Sequence, residues 1–199
     1  MTTGPGLFDP EPAPLFIHAA HVQVTPREKP VDATTTVSYS VSDTLFGPAR
    51  VFSTAEGIFR IDLLGEGAAR AELTIPSSWE EFREPLHDLA IRFIGCRSWS
   101  GPVIPLSVHG TAFQFRVWEL LLNIPYGERT TYGAIAAALG DKKLSRAVGA
   151  AVGSNPVAVI VPCHRVVAMN GKIGEFRWGG EMKRVLLNSE DLSVGGTNA

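Results

Sequence analysis

The residues of this chain best suited to chemistry form one short segment, Pro162-Cys163-His164-Arg165. Of the two cysteines, Cys96 and Cys163, only Cys163 is followed directly by a histidine and an arginine. A cysteine attacks as its thiolate, and a neighbouring cation or proton acceptor favours that form. The segment therefore predicts a nucleophilic cysteine.

The alternative for Cys163 is a buried structural thiol, because free cysteine is among the most buried residue types and is usually inert there. A histidine and an arginine directly after the cysteine do not belong in an ordinary apolar core. The preceding apolar run, Val157 to Val161, predicts a buried strand that ends at Pro162. Cys163 would then stand at a strand end, where chemistry is commonly located.

A cationic, small-residue segment begins near Lys143, and its Arg146 lies 17 residues before the cysteine. Positive charge at the start of a helix opposes the helix dipole, and an anionic partner such as phosphate would offset that. Small residues, among them Ala147 and Gly149, would let the helix backbone approach a surface closely. An alanine-rich packing helix is the alternative, but the position before Cys163 favours a helix that faces DNA.

The composition bounds the class of protein. With 199 residues, 45% hydrophobic and 19% charged, the chain is typical of a soluble globular protein of one large or two small domains. No apolar run approaches the ~20 residues of a membrane span, and the N-terminus has no secretory signal pattern. Two cysteines in unrelated contexts indicate no disulfide framework, so we expect a cytoplasmic location and no membrane association.

The charge is divided unevenly along the chain. Residues 1–110 carry 8 Lys and Arg against 13 Asp and Glu, a net of −5, whereas residues 127–184 carry 9 against 4, a net of +5. This asymmetry favours a face for an anionic partner, although a chance distribution of solvated charge gives the same counts.

The N-terminal half predicts a tail and a small scaffold domain. Residues 1–36 contain six prolines and no periodicity, so we predict an irregular tail. Residues 37–108 predict an α/β scaffold domain. Its elements are an antiparallel hairpin within residues 37–64, a short helix over residues 67–73, a longer helix from Glu80 to Ile94 capped by Ser78, and a strand from Val103 to Val108.

Residues 109–199 predict a mostly helical domain. Thr111 can cap a first helix in a capping box with Gln114 three residues on, and Thr131 can cap a second that runs from Tyr132 to Leu139. A turn at Gly140 leads to a third helix, which runs from about Lys143 to Val152, and two short helices joined by such a turn are typical of a helix-turn-helix. The expected fold class is α+β, with a small N-terminal sheet-and-helix scaffold domain followed by a mostly helical active-site domain containing a helix-turn-helix.

Five separated pieces of the chain resemble, in the same order, the O6-alkylguanine-DNA alkyltransferase family. The resemblance covers about residues 103–190, with a weaker match back to about residue 37. The pieces are Thr111-Ala112-Phe113-Gln114 with Val117-Trp118, Ile124 to Tyr132, Arg146-Ala147-Val148-Gly149, Asn155-Pro156 and Pro162 to Val166.

The resemblance implies DNA repair by direct transfer of a methyl or alkyl group from O6-alkylguanine, with O4-alkylthymine as a second candidate lesion, to Cys163. It links His164 to Glu190 and, through a water, to the cysteine. It also implies that Tyr132 supplies a proton and that Asn155 braces the turn beneath the thiol. Water does not displace a thioether, so the protein would act once per molecule, and no cofactor is expected.

The resemblance also implies that the helix bearing Arg146 enters the minor groove of double-stranded DNA while the damaged base is flipped into a pocket. The expected DNA-binding residues are Arg146, Ala147, Gly149, Thr131 and Lys143. The expected pocket residues are Val166, Phe176, Arg177 and Trp178. Some relatives carry small residues where Arg177 and Trp178 stand, so we expect poor reaction with bulky benzyl adducts.

Three other readings compete. Non-catalytic alkyl-lesion-binding proteins share the DNA-binding helix but replace the cysteine, and Cys163 argues against that reading. Transcription regulators of this kind carry a separate domain with its own cysteines. Some relatives hold zinc near the N-terminus with cysteines. No cysteine precedes Cys96, so neither that domain nor a metal site is expected. A cysteine hydrolase needs a histidine facing the thiol, and neighbouring side chains on extended backbone point to opposite faces. We expect a monomer.

Overall fold

A mixed β-sheet organises the N-terminal half of the computed structural model, which describes residues 15–17, 21–65, 75–96 and 99–194. Within these residues the sheet has seven strands in the order β1-β2-β7-β5-β4-β3-β6. The strands are β1 (Leu15–Ile17), β2 (Val22–Arg27), β3 (Ser38–Thr44), β4 (Gly47–Thr54), β5 (Gly57–Leu63), β6 (Glu80–Glu81) and β7 (Ile104–His109).

The predicted hairpin region is confirmed as the antiparallel meander of β3, β4 and β5. The tight turn into β5 depends on Gly57, which has a φ of 137°. A Cβ atom there would lie 2.7 Å from the carbonyl oxygen of Pro105, so only glycine fits. The expected strand from Val103 to Val108 is confirmed as β7, displaced by one residue.

The prediction of an irregular tail over residues 1–36 is wrong for β2. This strand pairs in parallel with β7 along its whole length, from Val22 opposite Ile104 to Arg27 opposite His109. The side chains of Val22 and Val24 are buried. The prolines of this region hid the strand, and its partner lies about 80 residues away, where local periodicity gives no signal.

The helix predicted from Glu80 is shorter than expected. Helix α1 spans Pro85–Ile94, with Glu84 as its N-cap and Pro85 in its first turn, a position that suits the fixed φ of proline. Glu80 and Glu81 instead pair in parallel with β3. The hydroxyl of Ser78, expected to cap the helix, donates to the carbonyl of Ala33 at 2.7 Å. The helix predicted over residues 67–73 lies outside the described residues.

The C-terminal half is mostly helical, as predicted. Its elements are α2 (Ala112–Leu122), β8 (Thr130–Thr131), α3 (Tyr132–Ala138), α4 (Ser145–Gly153), β9 (Val166–Val167) and α5 (Gly180–Val194). The capping box at the start of α2 is confirmed, since the amide of Gln114 donates to the Thr111 hydroxyl at 3.2 Å and the Gln114 side chain accepts from the Thr111 amide at 2.8 Å. At the start of α3 the Thr131 hydroxyl accepts from the amide of Ala134.

Helices α3 and α4 form the predicted helix-turn-helix. Gly140, at a φ of 98°, makes the turn between them. The second helix of this motif, α4, begins later than expected. Lys142–Leu144 form a 3₁₀ turn that Asp141 caps, and α4 starts at Ser145. The fold class α+β is confirmed.

The two halves meet at one strand. The amide of Ile61 in β5 donates to the carbonyl of Pro156 at 3.0 Å, and the amide of Ala158 donates back to Ile61 at 3.3 Å. Apolar side chains on both sides of this contact belong to one continuous cluster. The sheet therefore supports the segment that leads to Cys163. None of the described helices has both the length and the apolar character needed to cross a membrane.

Candidate active site

The segment before Cys163 is a series of tight turns built around Asn155. The fully buried amide of Asn155 donates to the carbonyls of Val161 at 2.8 Å and Val157 at 3.3 Å, and its oxygen accepts from the Val157 amide at 3.0 Å. Val159 has a φ of 65°, a conformation that a β-branched residue rarely adopts. The strand predicted over Val157–Val161 is therefore wrong, because side-chain hydrogen bonds replace the ladder that a strand would need.

Cys163 opens a short 3₁₀ turn and is 2% exposed. Burial raises the pKa of its thiol to about 11, and the opposing influences are a hydrogen bond from Asn155 and the charges of Lys183 and Arg177. The Asn155 amide lies 3.1 Å from the sulfur. The sequence suggested that the neighbouring residues favour the thiolate, whereas in the structure burial outweighs them.

The predicted partnership of His164 with Glu190 is present. Nε2 of His164 lies 2.9 Å from Oε1 of Glu190, and both side chains are buried. Arg165 also binds this carboxylate, through Nε and Nη2 at 2.9–3.1 Å. Burial alone would raise the pKa of Glu190, but the hydrogen bonds from His164 and Arg165 hold it at about 2. The carboxylate is therefore ionised, and Arg165 neutralises it instead of assisting Cys163.

The tautomer of His164 follows from this contact. Burial lowers the pKa of its imidazole despite the nearby Glu190, so the ring is neutral. An ionised carboxylate only accepts hydrogen bonds, so the proton of the ring is on Nε2 and Nδ1 carries a lone pair. Nδ1 is buried and has no hydrogen-bond partner among the described residues. Nδ1 of His164 is therefore a proton acceptor in a fixed position, on the residue that follows the thiol in sequence.

A cleft of about 790 Å³ lies between the helix-turn-helix and the loop before α5. Its walls include Tyr132, Lys143, Arg146, Gly149, Phe176 and Arg177. Burial, with smaller effects of Cys163 and Glu175, raises the pKa of the Tyr132 phenol, so this group keeps its proton at neutral pH. The cleft thus combines cations with a proton donor.

The structure brings most of the predicted DNA-binding residues to one face. Lys143, Arg146 and Ala147 are exposed on the 3₁₀ turn and α4, and Gly149 is half-buried beside the ring of Tyr132. Thr131 caps α3 and joins β8 to β9, which begins three residues after the cysteine. The side chains expected to approach DNA therefore lie next to the cleft.

Two of the four predicted pocket residues lie behind the cleft wall. Val166 and Trp178 are fully buried, whereas Phe176 and Arg177 face the cleft. The indole of Trp178 donates to Asp62 of β5 at 3.4 Å. Trp178 thus backs the wall against the sheet, and poor reaction with benzyl adducts stays a prediction.

Sequence reasoning missed Lys183. Its buried ammonium donates to the carbonyls of Val166 at 2.7 Å and Glu175 at 3.4 Å, and burial lowers its pKa to about 8. A signal was available, because Lys183 shares a helical stripe with Leu186 and Glu190 that faces the core. A lysine in such a stripe needs partners. In the part of the chain that the structure describes, no group of three or more His, Cys, Asp or Glu is placed to hold a metal ion.

Comparison with known proteins places these residues in a wider context. Residues 112–192 match the family model described as 6-O-methylguanine DNA methyltransferase, DNA binding domain. The chain is 38% identical over 157 residues to a methylated-DNA–protein-cysteine methyltransferase of Methanosarcina acetivorans, which covers 76% of this chain and 97% of the relative.

Solved structures resemble the chain over a similar span. The structure of the Mycobacterium tuberculosis OGT protein in complex with DNA has a TM-score of 0.65 and 33% identity, covering 78% of this chain and 93% of that one. The O6-methylguanine-DNA methyltransferase of Pyrococcus kodakaraensis has a TM-score of 0.55 and 26% identity, covering 76% and 98%.

Proposed function

The chain belongs to the methylated-DNA–protein-cysteine methyltransferase family, and from that premise we propose that Cys163 accepts the alkyl group. The protein is a DNA-repair enzyme that transfers the alkyl group of a damaged base to one of its own cysteines. The observation that carries the assignment to Cys163 is its place in a built site. The thiol lies against the Asn155 amide at 3.1 Å and directly precedes the His164–Glu190 pair.

The lesion that we propose is O6-alkylguanine in double-stranded DNA, bound by a monomer. Because Cys163 is 2% exposed, a base stacked in the duplex could not reach it, and the damaged nucleotide must be flipped out. Flipping costs a few kcal/mol. In this proposal Arg146 fills the vacated space in the base stack, which its exposure on α4 at the edge of the cleft supports.

The proton of Cys163 leaves through His164. With a pKa of about 11 the thiol is protonated at neutral pH, so transfer requires a base. The lone pair on Nδ1 of His164 supplies that base through one bridging water, and Glu190 stabilises the imidazolium that forms. This step resembles base activation of a serine or cysteine nucleophile, with a water inserted.

The transfer itself is one displacement. The sulfur of Cys163 forms a bond to the alkyl carbon, the bond from that carbon to O6 breaks, and its electron pair stays on the guanine. Tyr132, whose pKa is raised by burial, donates the proton that neutralises the guanine. The product is a thioether. Water does not displace its alkyl group from the sulfur, so each protein molecule reacts once.

Intact mass tests the assignment. The protein is incubated with a duplex containing O6-methylguanine, and Cys163→Ser and Cys96→Ser are treated in parallel. We expect one added methylene in the wild type and in Cys96→Ser, mapped by peptide analysis to Cys163, and none in Cys163→Ser. A methyl group on Cys96, or tight binding to the lesion with no mass change, would overturn the proposal; the second outcome would favour non-catalytic lesion binding.

A further inference from the structure

Within the described part of the chain, the guanidinium of Arg177 has no hydrogen-bond or salt-bridge partner. It is half-buried in the wall of the cleft, and its charge lies over the ring of Trp178, 5.8 Å from the centroid. No hydrogen bond or salt bridge joins it to another of the described residues. An arginine carries five N–H donors in a planar fork, so these donors are available to whatever enters the cleft.

The one carboxylate among the charges that influence the pKa of Arg177 is Asp62, and it is already engaged. Asp62 accepts from Arg60 at 2.7 Å and from the indole of Trp178 at 3.4 Å. Asp62 therefore fixes the aromatic ring that supports the guanidinium while leaving the N–H groups of Arg177 free. Stacking on an aromatic face suits a guanidinium, whose donors lie in its own plane and point past the ring.

Arg177 lies in the same cleft as Tyr132, the residue proposed above to donate a proton to the base. Gly174 belongs to the loop that carries Arg177, and a Cβ atom on it would lie 3.2 Å from the hydroxyl oxygen of Tyr132, so this loop packs against the phenol. A base that enters the cleft and approaches Tyr132 is therefore also next to the wall that carries Arg177.

We propose that Arg177 recognises the flipped base by donating two parallel hydrogen bonds, to O6 and to N7 of the alkylguanine. This proposal rests on the function proposed above. Arginine forked onto O6 and N7 is the commonest specific contact between proteins and guanine, and alkylation leaves a lone pair on both atoms. Arg177 would then act both in recognition and in catalysis.

The catalytic part follows from the charge that develops in the reaction. As the sulfur–carbon bond forms and the carbon–O6 bond breaks, the electron pair released onto the guanine makes O6 a better acceptor. The hydrogen bond from Arg177 strengthens at that moment, which lowers the barrier. Arg177 keeps its own proton, and the proton that neutralises the guanine still comes from Tyr132.

The recognition part predicts a preference between lesions. O4-alkylthymine has one acceptor corresponding to O6 and no atom corresponding to N7. Arg177 can make only one of its two bonds to that base, so the protein should repair guanine lesions faster than thymine lesions.

The test uses a base analogue that lacks one acceptor. Single-turnover transfer is measured with duplexes containing O6-methylguanine or O6-methyl-7-deazaguanine, in which N7 is replaced by C–H. We expect the wild type to react about tenfold more slowly with the deaza base. Arg177→Gln should be slower than the wild type with O6-methylguanine and should show no preference between the two bases. Arg184→Gln, which removes an exposed arginine paired with Glu181, should keep the wild-type preference.

The ratio of the two rates within each variant makes the result independent of how much protein is folded. Equal rates of the wild type on both bases would overturn the proposal, as would a tenfold preference retained by Arg177→Gln. If Arg177 instead contacts a phosphate, its loss would weaken binding to damaged and undamaged DNA alike and leave the ratio unchanged, which also overturns it. Absence of any transfer by the wild type would contradict the proposed function itself, so the two failures are distinguishable.

Discussion

At the level of single residues, burial and the neighbouring polar groups have opposite effects on the pKa of the Cys163 thiol. Burial holds the pKa of the thiol at about 11, although Asn155, Lys183 and Arg177 all favour the ionised form. The free protein therefore keeps the proposed nucleophile protonated, which would protect a residue that reacts only once from other electrophiles. In the mechanism proposed above, its reactivity depends on His164 and on the charges beside the thiol.

Lys183 supports that reactivity through its charge. Replacing it by methionine removes a cation near the sulfur, so the pKa of Cys163 should rise further. We expect alkyl transfer at pH 7 to slow by about tenfold for each pKa unit, and the pH–rate profile to move to higher pH. Thiolate absorbance and single-turnover rates across pH measure both effects.

Lys172→Met is the matched control, because Lys172 is exposed in the turn after β9. It should leave the profile where it is. A Lys183→Met variant whose rate falls equally at every pH would show that the lysine only supports the loop through the carbonyls of Val166 and Glu175.

At the scale of elements, the helix-turn-helix sets the surface offered to DNA. Helix α4 carries small residues on its exposed side and follows a cationic 3₁₀ turn. Asp141 caps that turn by accepting from the Lys143 amide at 2.8 Å, so the lysine side chains extend outward. Cations at the start of α4 oppose the helix dipole and are unfavourable for the isolated helix. They become favourable once phosphates approach its N-terminal end.

Salt dependence measures this contribution. The slope of log affinity against log salt concentration is negative, and each lysine that neutralises a phosphate makes it steeper by about 0.9. We expect Lys143→Gln to weaken binding to damaged and undamaged duplexes equally and to make the slope shallower by about that amount.

Lys29→Gln removes the same charge from an exposed position after β2, in the other half of the chain, and should change neither the affinity nor the slope. A Lys143→Gln variant that loses affinity only for damaged DNA would mean that this lysine contacts the flipped nucleotide and not the backbone.

At the scale of the whole molecule, the sheet stabilises the reactive half. Residues of β5 bond to the turn before Cys163, and Asp62 of the same strand holds Trp178 behind the cleft. His87 of α1 is fully buried and joins two strands of the same sheet, with Nδ1 2.9 Å from the Ser40 hydroxyl and Nε2 2.8 Å from that of Ser53. The scaffold therefore contains its own buried titratable group.

Acid should destabilise the protein in two stages. Burial lowers the pKa values of His87 and His164, so below pH 6.5 the unfolded chain takes up protons that the folded chain does not, and the free energy of unfolding falls. The pKa of Glu190 is lowered from 4.5 to about 2, so its contribution, at most about 3 kcal/mol, is lost as the pH falls from 4.5 towards 2.

Urea unfolding at pH 7, 6 and 5 tests the first stage. The free energy of unfolding should decrease with pH, and His87→Gln should make that decrease smaller. His109→Gln removes an exposed histidine and should leave the decrease as it is in the wild type. An unchanged pH dependence in His87→Gln would contradict the role given to this residue.

The sequence by itself determined the features that depend on near neighbours. The capping box at Thr111, the Thr131 cap and glycine turn of the helix-turn-helix, and the meander around Gly57 each result from residues within a few positions, and the structure has them where they were predicted. The pairing of His164 with Glu190 was also anticipated, but through the resemblance to a family and not through local chemistry.

Only the tertiary structure decided what depends on distant contacts. Strand β2 exists because β7 pairs with it, and the apolar run from Val157 to Val161 is turned instead of extended because Asn155 takes its carbonyls. The pKa of Cys163 depends on burial from all sides, and the cation of Lys183 reaches it from a helix 20 residues further along the chain. Hydrogen bonding and desolvation act through space, so a linear pattern can identify the nucleophile but cannot determine its protonation.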